Sequence, residues 1–166
     1  MHSWHTRKGT VFVTSGVGYG KTSLSAFDAA ELDAKIHATN AIRVTSFVPP
    51  HWSISKQQDR LATMSGKGAF LPMAYQYAIS VKESVAACLV IGINADLEQA
   101  SIIMEHAETG MEPEALQQIA QESVCEVFRF RGWTIADFVK SEAFGKPKDG
   151  LFVCALVAAL YFPGEN

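Results

Sequence analysis

The sequence predicts an α+β fold in which β-sheets form a sandwich flanked by helices. Two observations carry this prediction: β-type apolar runs outnumber helical segments, and strands and helices do not alternate regularly. Regular alternation would favour a parallel sheet, whereas many strands with few helices favour packed sheets. The 166 residues are 48% hydrophobic, which is enough apolar material for one compact domain spanning residues 1–166.

The first elements are a strand, a glycine loop and a helix. Residues 10–14 form a β-branched run, and the glycine-rich segment 15–20 that follows is predicted to be a loop. Helical periodicity begins after Lys21 and predicts a helix of about four turns. The apolar stripe of this helix consists of Leu24, Phe27, Ala30 and Ala34.

A strand over residues 41–48 is predicted next, and it ends at the proline pair 49–50. The polar segment 51–66 has no clear period and is predicted to be a loop. Later strands are predicted at 69–80, 85–93, 100–106, 133–144 and 151–162. Glu112-Pro113-Glu114 begins a second helix, with an apolar stripe of Leu116, Ile119, Ala120, Val124 and Val127.

Net charge indicates which partners are not expected, and the cysteines and the N-terminus indicate the expected compartment. The net charge of −3 provides no basic surface, so neither nucleic acid nor an anionic membrane is an expected partner. The three cysteines lack C-x-x-C spacing and lie in apolar runs, which is typical of buried thiols in a reducing compartment. With an N-terminus too polar for a signal peptide, the expected location is the cytoplasm.

The Thr45-Ser46 pair has a chemistry of its own. The Ser46 hydroxyl can attack the Thr45 carbonyl and convert the peptide bond to an ester, and elimination then leaves a pyruvoyl group made from Ser46. An ordinary strand that leaves into a turn has the same local sequence. The pair alone therefore leaves both interpretations open.

Several blocks in order and spacing closely resemble the pyruvoyl-dependent arginine decarboxylase family. The first contains Ala26-Phe27-Asp28 and the second runs from Asn40 to the proline pair after Ser46. Further blocks lie at 68–77, 103–105 and 131–133. The resemblance covers residues 10–162, and the length is that of the small members of the family.

The resemblance implies a self-cleaving decarboxylase. Cleavage between Thr45 and Ser46 would give chains 1–45 and 46–166, and the pyruvoyl group derived from Ser46 would be the covalent cofactor. The expected reaction converts L-arginine to agmatine and CO₂ through a Schiff base. The resemblance also implies that Asn40 assists processing, although a turn role is equally compatible with its chemistry. It further implies that the enzyme is a trimer with shared active sites.

Two carboxyl groups are candidates for the proton donor and for the group that binds the substrate. Glu105 lies in an apolar strand, where burial favours the protonated form, and the resemblance makes it the proton donor. Asp28 matches the family's substrate-binding aspartate, and a carboxylate is the group that pairs best with a guanidinium. Without the resemblance, either group could be a solvated surface carboxylate.

Some residues depart from the family pattern and leave substrate specificity open. Glu31 replaces a leucine, and Lys35 and His37 replace glycines. Glu31 lies one helical turn after Asp28, so it either joins a site for a cationic substrate or faces solvent. Decarboxylation of another amino acid by the same mechanism is the alternative.

Two other interpretations compete. Gly20-Lys21-Thr22 resembles the end of a phosphate-binding P-loop, although the preceding glycine is replaced by Ser15 and the strands do not alternate with helices. A family member that folds but never cuts itself is the second. The five histidines suggest no metal site, so metal-dependent chemistry is not expected.

Overall fold

The computed structural model describes residues 8–164 as four layers, in which two facing β-sheets are covered on their outer sides by helices. The described residues form nine strands and three helices. They are β1 (Gly9–Gly20), α1 (Ser23–Asp33), β2 (Thr39–Arg43), β3 (Phe47–Val48), β4 (Ser53–Ser55), α2 (Gln58–Met64), β5 (Ala69–Ser80), β6 (Val85–Asn94), β7 (Ser101–Thr109), α3 (Pro113–Arg131), β8 (Ile135–Gly145) and β9 (Phe152–Pro163). The predicted sandwich of sheets flanked by helices is confirmed.

Each sheet has its own pairing pattern. The five-stranded sheet has the order β2-β5-β9-β1-β4, with β9 antiparallel to both β1 and β5. The edge strands β2 and β4 pair in parallel with β5 and β1. The four-stranded sheet has the order β3-β7-β6-β8 and is antiparallel throughout.

Alternation along β9 shows how the layers are held together. Val153, Ala155 and Val157 belong to the core between the two sheets, whereas Cys154 and Leu156 belong to the core beneath α1. Both faces of this strand are therefore buried, which explains its nearly continuous apolar sequence.

The glycine-rich segment is part of β1, so the predicted loop is wrong. Gly16 and Gly18 lie against the backbone of α1, where an added Cβ would come within 2.3 Å of the Ala30 carbonyl oxygen and 2.2 Å of the Ala30 nitrogen, respectively. The glycines let the helix approach the strand closely. No phosphate-binding loop is formed here, and the P-loop interpretation loses its structural basis.

The helices largely follow their predicted stripes. In α1, Ala26 and Ala30 are buried and Thr22 caps the N-terminus, but Leu24 is 76% exposed. Leu24 lies in the first turn of the helix. Helix α3 covers the four-stranded sheet and ends at Gly132, whose left-handed backbone favours glycine. Its buried residues are Leu116, Ala120, Val124 and Phe128, whereas Ile119 is 41% exposed.

Two further predictions of secondary structure are wrong. Residues 51–66 contain β4 and the short helix α2, whose Leu61 is buried against the outer core of the five-stranded sheet. The single strand predicted over 41–48 is divided into β2 and β3, which belong to different sheets. Within residues 8–164, no helix has the length and apolar character required to cross a membrane.

Candidate active site

The chain passes from one sheet to the other at residues 44–46. The Val44 N–H donates to the Met73 carbonyl of β5 in the five-stranded sheet at 3.2 Å. Two residues later, the Ser46 carbonyl accepts a hydrogen bond of 2.9 Å from the Ile103 N–H of β7 in the other sheet. The Thr45–Ser46 peptide therefore bridges the sheets and is fixed on both sides.

Ser46 and Glu105 are in direct contact although 59 positions separate them in sequence. The Ser46 Oγ donates to the Glu105 carboxylate, with distances of 2.8 Å to Oε1 and 2.9 Å to Oε2. Strand alternation places Glu105 on the same face of β7 as Ile103 and Ala107, which contact the core between the sheets. The sheet pairing thus brings a hydroxyl and a carboxylate together.

Burial dominates the protonation behaviour of Glu105. Desolvation raises the pKa of the Glu105 carboxyl above its ordinary value. The hydrogen bond from Ser46 and the positive charge of Arg43 act in the opposite direction and limit the rise. A carboxyl group with these partners can accept a proton more readily than an exposed glutamate and can return it to a nearby atom.

The Thr45 carbonyl, which Ser46 would attack, also has a hydrogen-bond donor. The Phe47 N–H donates to the Thr45 carbonyl oxygen at 2.9 Å, closing a three-residue turn with Ser46 at its centre. An N–H on this oxygen withdraws electron density from the carbonyl carbon and favours nucleophilic attack on it.

Two cavities flank the Thr45–Ser46 peptide. The first, of about 380 Å³, is lined by Ser46, Glu105 and Arg131, among others. The second, of about 310 Å³, is lined by Thr45 and Tyr161 together with mainly apolar side chains. The side chain of Arg131 lies over the Phe47 ring at 5.2 Å, so a cation borders the first cavity.

The two other predicted site residues lie apart from Ser46 within one chain. The Asn40 side-chain amide donates to the Gly68 carbonyl at 2.8 Å. Asp28 is exposed on α1, which covers the outer face of the five-stranded sheet. Among the described residues, neither side chain lines a cavity beside Ser46. The position of Asp28 at the margin of the buried helix face predicts that its side chain can project into a sheltered pocket, but Asp28 is exposed in its own chain.

Glu31 differs from a fully solvated carboxylate. It is half-buried on α1, and desolvation followed by the charge of Asp28 raises the pKa of its carboxyl group. Glu31 and Asp28 therefore form a pair of interacting carboxyl groups on one helix face.

Sequence reasoning missed Arg43 and Tyr161. Arg43 donates to the Tyr75 carbonyl at 2.9 Å and lies over the Tyr75 ring, and its charge acts on Glu105. Tyr161 lies in the last strand, where its sequence context is that of an ordinary core aromatic. A cation three residues before Ser46 was a usable signal, whereas nothing local distinguishes Tyr161.

Comparisons with known proteins agree with this geometry. The sequence profile of the pyruvoyl-dependent arginine decarboxylase family matches residues 10–166. A pyruvoyl-dependent arginine decarboxylase of Methanocaldococcus jannaschii is 30% identical over 98% of this chain and 95% of its own length. One from Methanococcus vannielii is 32% identical over 92% of this chain and 90% of its own length.

A solved structure supports the fold independently. A pyruvoyl-dependent histidine decarboxylase superposes with a TM-score of 0.52 and 14% identity, covering 60% of this chain and 53% of its own. At this identity the likeness concerns the fold alone. The family profile and the relatives carry the assignment: the chain belongs to the pyruvoyl-dependent arginine decarboxylase family.

Proposed function

We propose that the chain cuts itself between Thr45 and Ser46 and uses the pyruvoyl group derived from Ser46 to decarboxylate arginine. Family membership supplies the reaction class and the cofactor. The observation that supports the choice of residues is the hydrogen bond of 2.8 Å from the Ser46 hydroxyl to Glu105. The products of cleavage are chains 1–45 and 46–166.

The residues around Ser46 suit formation of this group. The Glu105 carboxylate takes the hydroxyl proton as the Ser46 oxygen attacks the Thr45 carbonyl carbon, and it passes that proton to the departing nitrogen. The Phe47 N–H stabilises the negative charge that develops on the Thr45 carbonyl oxygen. Ser46 therefore supplies the nucleophile, Glu105 the base and the Phe47 N–H the donor for the oxyanion.

Glu105 has a second task in the mature enzyme. The pyruvoyl group supplies an electron sink for the pair left on the substrate when CO₂ departs. Glu105 lies beside the position of Ser46 and delivers a proton to the substrate Cα. Because burial raises the pKa of its carboxyl group, the protonated form persists to higher pH than in an exposed glutamate.

Asp28 and Glu31 are proposed to bind the guanidinium group in an assembled trimer. Asp28 is exposed on an outer helix, so it reaches a Ser46 site only if that site belongs to a neighbouring subunit. Two adjacent carboxyl groups suit a planar cation that carries several N–H donors. A trimer with shared sites, as the resemblance implies, satisfies this requirement.

Trapping with arginine tests the proposed function. The purified protein is incubated with arginine and cyanoborohydride and then analysed by mass spectrometry, with release of agmatine and CO₂ measured in parallel. Reductive attachment of substrate to the new N-terminus of the 46–166 chain is expected. Attachment of another amino acid in preference to arginine would instead favour a different substrate for the same mechanism.

Asp28→Asn is expected to weaken arginine binding without preventing cleavage. Loss of a charge-assisted hydrogen bond raises KM by roughly 10- to 100-fold. Steady-state kinetics on the processed enzyme measures this change, and Glu114→Gln on α3 is the matched control for loss of one exposed carboxylate. An unchanged KM for Asp28→Asn would remove this residue from the proposed site.

Arg43→Gln is expected to move the pH profile of turnover upward. Proton donation requires the protonated carboxyl group, so turnover falls as pH rises through the pKa of Glu105. The charge of Arg43 lowers the pKa of Glu105, and its removal raises this pKa further. The descending limb of kcat against pH then lies at higher pH than in the wild type.

The control for this experiment is Lys148→Gln, which removes a cation lying 4.1 Å from the ring of Tyr19. Its descending limb is expected to coincide with that of the wild type. A limb for Arg43→Gln that stays in place or moves to lower pH would contradict the assignment of Glu105 as the proton donor.

A further inference from the structure

Tyr161 carries a buried hydroxyl group for which residues 8–164 of the uncut chain supply no hydrogen-bond partner. The residue is 6% exposed, and among residues 8–164 its Oη has no hydrogen-bond partner. An unpaired hydroxyl in a protein core costs free energy. This cost is removed if the hydroxyl gains a hydrogen-bond partner in another form of the protein.

The position of Tyr161 relates its hydroxyl to the cleavage at Thr45. It pairs with Val11 in the β1–β9 register and faces the core between the sheets, where its ring lies 6.2 Å from that of Trp52. Tyr161 and Thr45 line the same cavity of about 310 Å³. The cavity surface is mainly apolar, and its other lining side chains are Val44, Phe47, Pro49, Trp52 and Pro72.

The proposed self-cleavage creates an acceptor beside this cavity. After the acyl shift, the Glu105 carboxylate removes the α-proton of Ser46. The electron pair forms the Cα–Cβ double bond, and the bond from Cβ to the ester oxygen breaks. Thr45 leaves with both oxygens as a carboxylate. Glu105 returns the proton to Cβ, and water then replaces the nitrogen, which departs as ammonia.

We propose that the Tyr161 hydroxyl donates a hydrogen bond to the Thr45 carboxylate as it leaves and holds this new chain end afterwards. The inference rests on the proposed function and extends it to a residue of the last strand. A hydrogen bond donated to a departing carboxylate stabilises the charge that develops during elimination. The same bond satisfies the buried hydroxyl in the mature enzyme.

The protonation state of Tyr161 agrees with a donor. Burial, and after it the negative charge of Glu105, raises the pKa of the phenol above its ordinary value. The hydroxyl therefore keeps its proton at neutral pH and in alkaline buffers. The protonated phenol can therefore donate a hydrogen bond to a carboxylate.

The first test follows the cutting reaction in Tyr161→Phe, which removes only the hydroxyl group. Elimination is expected to be about 10-fold or more slower than in wild type, as for loss of a hydrogen bond to a charged group. Hydroxylamine added during maturation cleaves the ester, leaving a 46–166 chain that begins with unmodified Ser46. Mass spectrometry should show more of this chain in Tyr161→Phe than in wild type.

The matched control is Tyr19→Phe, a tyrosine that packs against the same core at the other end of β1. It should mature at the wild-type rate. Equal rates and equal ester levels in Tyr161→Phe and wild type would overturn the proposal. An uncut Tyr161→Phe chain resistant to hydroxylamine would also overturn it, because the acyl shift rather than the elimination would be affected.

The second test measures thermal stability. If the hydroxyl gains its partner on cleavage, the effect of Tyr161→Phe on Tm differs in sign between the uncut and the processed protein. In the uncut Ser46→Ala background, adding Tyr161→Phe should leave Tm equal or raise it, because an unpaired hydroxyl is removed. In the processed protein the same substitution should lower Tm. A lower Tm in both backgrounds would mean that the hydroxyl is already paired before cleavage.

These outcomes separate the inference from the function on which it rests. A wild-type chain that never cuts itself would end the proposed function, whatever Tyr161 does. A wild-type chain that cuts itself, with Tyr161→Phe indistinguishable from it in both tests, would end only the role of Tyr161.

Discussion

Ser46→Ala is expected to yield one uncut polypeptide with no decarboxylase activity. Alanine has no oxygen with which to attack the Thr45 carbonyl, so neither the ester nor the pyruvoyl group can form. The backbone hydrogen bonds of this stretch, including the bond between the Ser46 carbonyl and the Ile103 N–H, do not use the Ser46 side chain and should persist. The variant is therefore expected to fold. Intact mass measures the loss of self-cleavage, and arginine-dependent CO₂ release measures the loss of decarboxylase activity.

Ser123→Ala is the control, because its hydroxyl bonds only locally to the Ile119 carbonyl on α3. It should cut itself and turn over arginine as the wild type does. Two chains from Ser46→Ala would show that another residue supplies the nucleophile. Arginine turnover by uncut Ser46→Ala would show that the reaction does not need the pyruvoyl group.

Glu105→Gln should give the second largest effect, a loss of about 10²- to 10⁴-fold in kcat, which is the usual contribution of a positioned acid or base. The glutamine amide can accept the hydrogen bond from Ser46 but cannot supply a proton efficiently. Self-cleavage should slow as well. Because cutting occurs once per chain whereas turnover repeats, processed but nearly inactive protein is expected to accumulate.

The matched control is Glu108→Gln, an exposed carboxylate on the same strand. Its kcat should equal that of the wild type. If Glu105→Gln, once processed, decarboxylated arginine at more than about a tenth of the wild-type rate, the proton would have to come from another group.

Much of the fold is predictable because the spacing of apolar residues along the chain follows which side chains are buried. Strand β9 is buried on both faces, and α3 carries a regular apolar stripe, so both were recognised. The division of residues 41–48 was missed, because the apolar side chains on each side of Val44 suit a single strand equally well. Likewise, the glycines of β1 are typical of a loop until the closely packed helix is known.

The active site was predictable to a lesser extent. Resemblance to the family pointed to Ser46 and Glu105, but their contact across 59 positions depends on how β3 and β7 pair. The family, the decarboxylase reaction and the pyruvoyl cofactor predicted from that resemblance are confirmed by the family match. The roles of Ser46, Glu105, Asp28 and Asn40 stay predictions, and neither Asp28 nor Asn40 lines a cavity beside Ser46 among the described residues of one chain. Tyr161 could be noticed only once its hydroxyl was seen to lack a partner among the described residues.

Intact-mass spectrometry of freshly purified wild-type protein is the most direct test of self-cleavage at Ser46. Two chains are predicted, 1–45 with an ordinary carboxyl end and 46–166 with a pyruvoyl end. Their masses should sum to that of the uncut chain plus one water and minus one ammonia. A single chain of 18.1 kDa, with no N-terminal group that borohydride reduces, would contradict the account.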